Sequence, residues 1–151
     1  MLVGLPAVSY AQAPPPVSIQ GEVMKTWEDG RGNDVVLRRG YWSAGKPRAG
    51  FGYEKILNKH GITDLGVVES IVRRPDSVES QVNGRIAHTS AARQFKCYIT
   101  GCTVVQSVPV IVIIDYGEWA GPGQFGVVTA YCDNADGSWR CPDFVNAAIK
   151  P

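Results

Sequence analysis

The chain has 151 residues, 44% of them hydrophobic and 19% charged, with 15 Lys and Arg against 14 Asp and Glu. That length is one domain with room for its own core, and the mixture excludes long disorder, collagen and a charge-rich coiled coil. The 17 glycines and 10 prolines interrupt every long apolar run, so no transmembrane helix is read and no membrane partner is expected.

Residues 1–16 read as a signal-peptide-like remnant and a proline-rich tail. An apolar stretch runs into Ala11-Gln12-Ala13, a small-x-small pattern, and then into Pro14-Pro15-Pro16. Residues 17–151 read as a single domain. Its first part, Val17 to Gly32, is mixed in character, and Asp34 to Arg38 is a short apolar run between glycine-rich turns. Residues 40–52 hold four glycines and the aromatics Tyr41, Trp42 and Phe51, the composition of an ordered loop. From Tyr53 the pattern becomes helical and stops at Gly61. A second helix is signalled by Thr63 or Asp64 as N-cap, by Leu65, Val68, Ile71 and Val72 at helical spacing, and by Pro75 beyond the end.

The second half reads as strands. Asn83-Gly84 marks a turn, and residues 85–88, 94–100, 108–116 and 125–132 are rich in β-branched and aromatic side chains. Val110 to Ile114 is apolar on both faces, as a central strand would be, and Gly117 to Gly123 and Asp133 to Gly137 read as connections. Helices first and an antiparallel sheet second is an α+β arrangement.

Cys97 and Cys102, and Cys132 and Cys141, form two close pairs without the Cys-x-x-Cys spacing, and only the first has a spacer short enough for structural zinc. Two disulfides are expected, paired locally or crossed, together with a secreted or periplasmic location. No metal and no cofactor are expected.

Residues 31–60 carry seven Lys and Arg against Asp34 and Glu54, whereas residues 101–151 carry a net excess of three negative charges. An ordinary solvated face would look the same, but a local basic zone in a neutral chain also suits a phosphate or polyanion held at one place. His60 follows Lys59 at the end of the basic helix, and His88 lies on a strand with Arg85 and Arg93 near it in sequence. Cleavage of RNA without metal needs a base for the 2′-hydroxyl, an acid for the leaving 5′-oxygen and cations around the phosphorane. Histidine can take either proton role, and Lys and Arg supply the charge. Asp115 with Glu118 is the one carboxylate pair that would suit a glycosidase, and Trp42, Trp119 and Trp139 are aromatics that could stack a base or a sugar.

The segments Val35-Val36-Leu37-Arg38-Arg39-Gly40, Gly50 to Gly61, Pro109 to Asp115 and Val127-Val128-Thr129-Ala130-Tyr131 together resemble the ordered motifs of bacterial toxin ribonucleases in the barnase, EndoU, colicin and RelE superfamily. The resemblance covers about residues 33 to 132. It implies N-terminal helices packed on a four- to five-stranded antiparallel sheet, with RNA, often transfer RNA, held across that sheet. It also implies metal-independent transesterification to a 2′,3′-cyclic phosphate. On this reading His60 is the general acid or base, Lys55 or Lys59 is a phosphate contact, and Thr129 and Tyr131 are donors on the last strand. His88 as a second proton carrier, and Arg93, Arg85 and Arg39 as substrate contacts, are inferred from their basic surroundings. The implied partners are an RNA substrate and an acidic immunity protein. The competing reading is a non-enzymatic secreted module, disulfide-stabilised, that binds or inhibits another protein.

Overall fold

The computed structural model describes residues 13–120 and 123–148. The signal-like stretch 1–12 lies outside the described residues. In chain order come a single helical turn, α1 (Val17–Gln20), and a hairpin of β1 (Val23–Glu28) and β2 (Asp34–Arg38). Two helices follow, α2 (Gly52–Asn58) and α3 (Leu65–Arg73), and then four strands, β3 (Ser77–Ser80), β4 (Ile86–Tyr98), β5 (Gly101–Glu118) and β6 (Gln124–Cys132). A last turn, α4 (Val145–Ala148), completes the described elements. The four strands pair antiparallel in the order β3-β4-β5-β6.

The class is α+β, with a correction to the arrangement: the helices are not gathered at the N-terminus, because the β1–β2 hairpin precedes α2 and α3 and only the single turn α1 comes before it. Its turn explains why. Asp29 Oδ1 accepts the backbone N–H groups of Arg31 and Asn33 (2.8 and 2.9 Å), an Asx-type closure that Gly32 completes at φ 82°. Asp29 is almost fully buried, and its other oxygen accepts Tyr116 Oη–H at 2.7 Å, tying the hairpin tip to β5. Burial alone would raise this carboxyl, but the hydrogen bonds from Asn33, Tyr116 and Arg31 hold it down at about 2.

Helix α3 starts where Asp64 accepts the N–H of Gly66 at 2.8 Å and ends just before Pro75. Its Val67, Val68, Ile71 and Val72 are fully buried against Trp27, Val35 and Leu37 of the hairpin and Val110, Val112 and Ile114 of β5. Truncating one of these side chains to Ala should cost roughly 2–5 kcal/mol. Strand β5 is an inner strand of the sheet, as the two-sided apolar run suggested. Strands β4 and β5 are longer than the sequence pattern implied, running unbroken through residues 89–93 and 101–107 because each pairs the other over this length.

The two cysteine pairs are local, Cys97–Cys102 and Cys132–Cys141, so no cysteine among the four is left for zinc. The disulfides, and the absence among the described residues of a helix long and apolar enough to cross a membrane, are compatible with an extracellular or periplasmic protein.

Strand β2 approaches β6 at Gly126. Gly126 has φ 89°, and a Cβ there would lie 1.9 Å from the Val36 carbonyl oxygen. Nearby, Arg38 donates to the Gln124 carbonyl from Nε and Nη2, and the Gln124 side chain bonds Val36 N and Asp34 O. Gly126→Ala should therefore lose about 3 kcal/mol or more, read as a lower urea midpoint, since both the conformation and the contact forbid a side chain. An unchanged midpoint would show that the hairpin does not sit on β6 in this way.

Candidate active site

Strand pleating assigns side chains to two faces. On β5, Val110, Val112 and Ile114 point into the core, so Ile111, Ile113 and Asp115 point to the other face. Cross-strand register puts Thr129 beside Ile113 and Tyr131 beside Ile111, and so on that second face. The same register puts His88 beside Val112, on the core face.

His60 approaches the Tyr131 face from the end of α2. Lys59 is the C-cap, and Gly61, at φ 69°, donates its N–H to Leu57 O at 3.1 Å, so the chain turns and drives His60 inward. The imidazole is 2% exposed, with its ring centroid 5.7 Å from that of Tyr131. Its cover is the loop 133–140, closed at its base by Cys132–Cys141. This loop holds His60 twice: His60 Nδ1 lies 3.1 Å from Trp139 O, and His60 O accepts Cys141 N–H at 2.8 Å. A carbonyl can only accept, so Nδ1 carries the proton and the neutral ring keeps its lone pair at Nε2. Burial pushes the imidazole down to about 4, against the raising effect of the Trp139 bond, and the charges of Lys59, Lys55 and Arg140 add to the lowering. Near neutral pH this is a base in its free form.

Around it stand cations and hydroxyls. Lys55 Nζ donates to Gly50 O (3.1 Å) and Arg48 O (3.4 Å), fastening the 40–52 loop to α2. Burial lowers its pKa, and the neighbouring charges of Lys59 and Arg85 lower it further. Lys59 Nζ lies 5.4 Å above the Trp139 ring. Arg140 Nη1 donates to the carbonyls of Asn58 and Lys59, which the end of α2 leaves unpaired. Tyr131 is half-buried, and burial first, then the Asp133 carboxylate, raise its phenol pKa, keeping the proton on. Thr129 is 9% exposed, and its Oγ1 is buried without a hydrogen-bond partner among the described residues.

Of the residues singled out in the sequence, His60, Lys55, Lys59 and Tyr131 come together, Thr129 shares the Tyr131 face of β6 two residues away, and Arg85 borders them while paired with Asp115 at 3.5 Å. His88 does not join them. It is buried on the core face and lines a separate cavity of about 220 Å³ with Asp29, Asn33 and Tyr116. Arg39 is committed to Glu22 at 2.6 Å and Glu54 at 3.6 Å, and Arg93 stands exposed at the start of the extended β4–β5 arm. Asp115 is taken up by Arg85 and by Gly117 N–H, while Glu118 is exposed, so the two carboxylates face no common cleft. Trp119 packs on Phe51 and Phe125, Trp42 donates to Pro47 O, and Trp139 is left 55% exposed beside Tyr131. Sequence reasoning missed Arg140 and the Trp139 carbonyl; the signal for both was the cysteine bracket that begins at the end of the last strand.

Removing the bracket should release His60. In a Cys132→Ser/Cys141→Ser variant the imidazole pKa should rise from about 4 toward 6.5, followed by NMR titration of the His60 ring protons, whereas Cys97→Ser/Cys102→Ser should leave it in place. Equal values in both variants would show that the loop does not set the histidine's environment. No family model, curated protein sequence or solved structure matches this chain.

Proposed function

We propose that the protein is a ribonuclease that cleaves RNA by transesterification, without requiring a metal ion, and that it acts outside the cytoplasm of the cell that makes it, as a toxin. The observation that carries the reading is the neutral His60, whose Nδ1–H is taken by Trp139 O so that Nε2 is free to accept a proton beside three cations, Lys55, Lys59 and Arg140. In the proposed reaction His60 Nε2 removes the 2′-hydroxyl proton and the 2′-oxygen bonds to phosphorus. The bond from phosphorus to the 5′-oxygen breaks, and the leaving oxygen takes its proton from Tyr131, which burial keeps protonated. The products are a 2′,3′-cyclic phosphate and a 5′-hydroxyl end.

Lys55 and Lys59 offset the phosphorane charge, the unpartnered Thr129 hydroxyl is a donor for a non-bridging oxygen, and exposed Trp139 offers a face to a base. The sequence resemblance to bacterial toxin ribonucleases agrees with this set of roles, and on the same reading an acidic immunity protein would cover the basic site. The exposed apolar side chains of the β4–β5 arm are the observation that favours the alternative, a secreted binding module.

RNA cleavage in EDTA, with product ends analysed for cyclic phosphate, tests the proposal. His60→Ala should lose about 10²- to 10⁴-fold and Tyr131→Phe about 10- to 100-fold. His88→Ala should stay within about threefold, provided the fold is kept, because its ring lies on the other side of the sheet. Since the reactive form is the unprotonated imidazole, kcat/KM, which reports the free enzyme, should hold as pH falls through 6.5 and decline only near 4. No cleavage by the folded wild type, or full activity in His60→Ala, would overturn the assignment and leave the binding module.

A further inference from the structure

Strand β3 pairs β4 only at residues 86–89, and β6 pairs β5 only from Val110 onward. Between these limits, over 93–107, β4 and β5 pair with each other alone among the described residues, forming a two-stranded arm. From Ala92, the last buried residue of β4, to the turn at Ile99 the arm extends about 20 Å at the usual strand rise. Its end carries a cluster of exposed large apolar side chains. Ile99 is 106% exposed, and Phe95, Tyr98, Val104 and Val105 are 49 to 59% exposed. Cys97–Cys102 staples the strands two pairs beyond Phe95–Val104 in the ladder, and Tyr98 pairs Gly101 to close the turn.

We propose that this arm docks the protein on an anionic lipid bilayer, its tip entering the boundary between headgroups and acyl chains. A stapled hairpin holds its apolar residues out of the core at no further ordering cost, which is where binding would recover the apolar area. The charge on the arm has one sign. Arg93 and Lys96 are its cations, and no carboxylate side chain occurs between Glu79 and Asp115. Lys96 Nζ lies 5.6 Å above the Tyr98 ring, an arrangement of cation and amphipathic ring suited to the headgroup level. Depth is limited by the strand edges, whose unpaired N–H and C=O groups must stay in water or among headgroups.

A second copy of the chain is a poorer occupant. Edge-to-edge pairing of two arms would bring Arg93 and Lys96 against their own kind, a device that discourages such pairing. No transmembrane helix is read in the sequence, and docking at an interface needs none; it is the expectation of no membrane partner that this proposal revises. It rests on the arm alone and does not depend on the chemistry proposed for His60.

The test is co-sedimentation of the full chain with vesicles of phosphatidylcholine, with and without phosphatidylglycerol, beside sedimentation velocity without lipid. Wild type should bind the anionic vesicles at least about tenfold better than the neutral ones, and less so in high salt. Ile99→Asp should lower that binding at least about tenfold, and Lys96→Glu, which keeps the apolar tip, about fivefold or more. Circular dichroism would verify that both variants are folded. The proposal fails if wild type binds neither vesicle, if Lys96→Glu and Ile99→Asp bind as wild type does, or if the tip instead drives a dimer that Ile99→Asp dissolves.

Discussion

Strand β5 is flanked on both sides and pleated, so each of its side chains must commit to one of two faces, and every other element is placed by that commitment. Val110, Val112 and Ile114 commit to the core, where they meet α3 and the β1–β2 hairpin. The alternate positions face the side from which α2 delivers His60. A slip of one residue in the β5–β6 pairing would exchange the faces, burying Tyr131 under α3 and turning Ala130 toward His60. The core supplies the energy that forbids this slip, and thereby fixes which residues of β6 stand beside His60.

On the reactive side the notable balance is between burial and charge. A histidine among Lys55, Lys59 and Arg140 loses its own proton readily, because a fourth cation there would be both desolvated and repelled. The field that empties the imidazole is the field that would attract a phosphate diester. Binding an anion would relax the repulsion, so an imidazole that is neutral in the empty site would hold a proton more readily beside a bound anion.

Much of this was legible in the sequence where a single residue type has a local mechanical consequence. Asp64 caps α3, Gly61 turns α2 toward the sheet, Asn83-Gly84 turns β3 into β4, and the close cysteine spacings marked two disulfides while leaving local and crossed pairing open. What stayed hidden depends on partners distant in the chain. Strand β1 carries Lys25, Thr26 and Glu28 and shows little pattern until β2 pairs with it, and β3 is a four-residue, mostly polar edge. His60 and His88 look equivalent as letters, each beside basic residues, and only register separates them. The acceptor that fixes the His60 tautomer is a backbone carbonyl, which has no signature in a sequence.

Two of the groups that tie the outlying pieces to the sheet, His60 under its loop and Asp29 in the hairpin turn, are held in their unprotonated forms, and they respond to acid in sequence. As pH falls from 6.5 to about 4 the unfolded chain takes up a proton that the folded His60 refuses, so the loop over α2 is undermined first. From about 3.8 to 2 the same imbalance arises at Asp29, and the hairpin loses its hold on Tyr116. Acidification would thus take the molecule apart by layers, the reactive face yielding before the buried one.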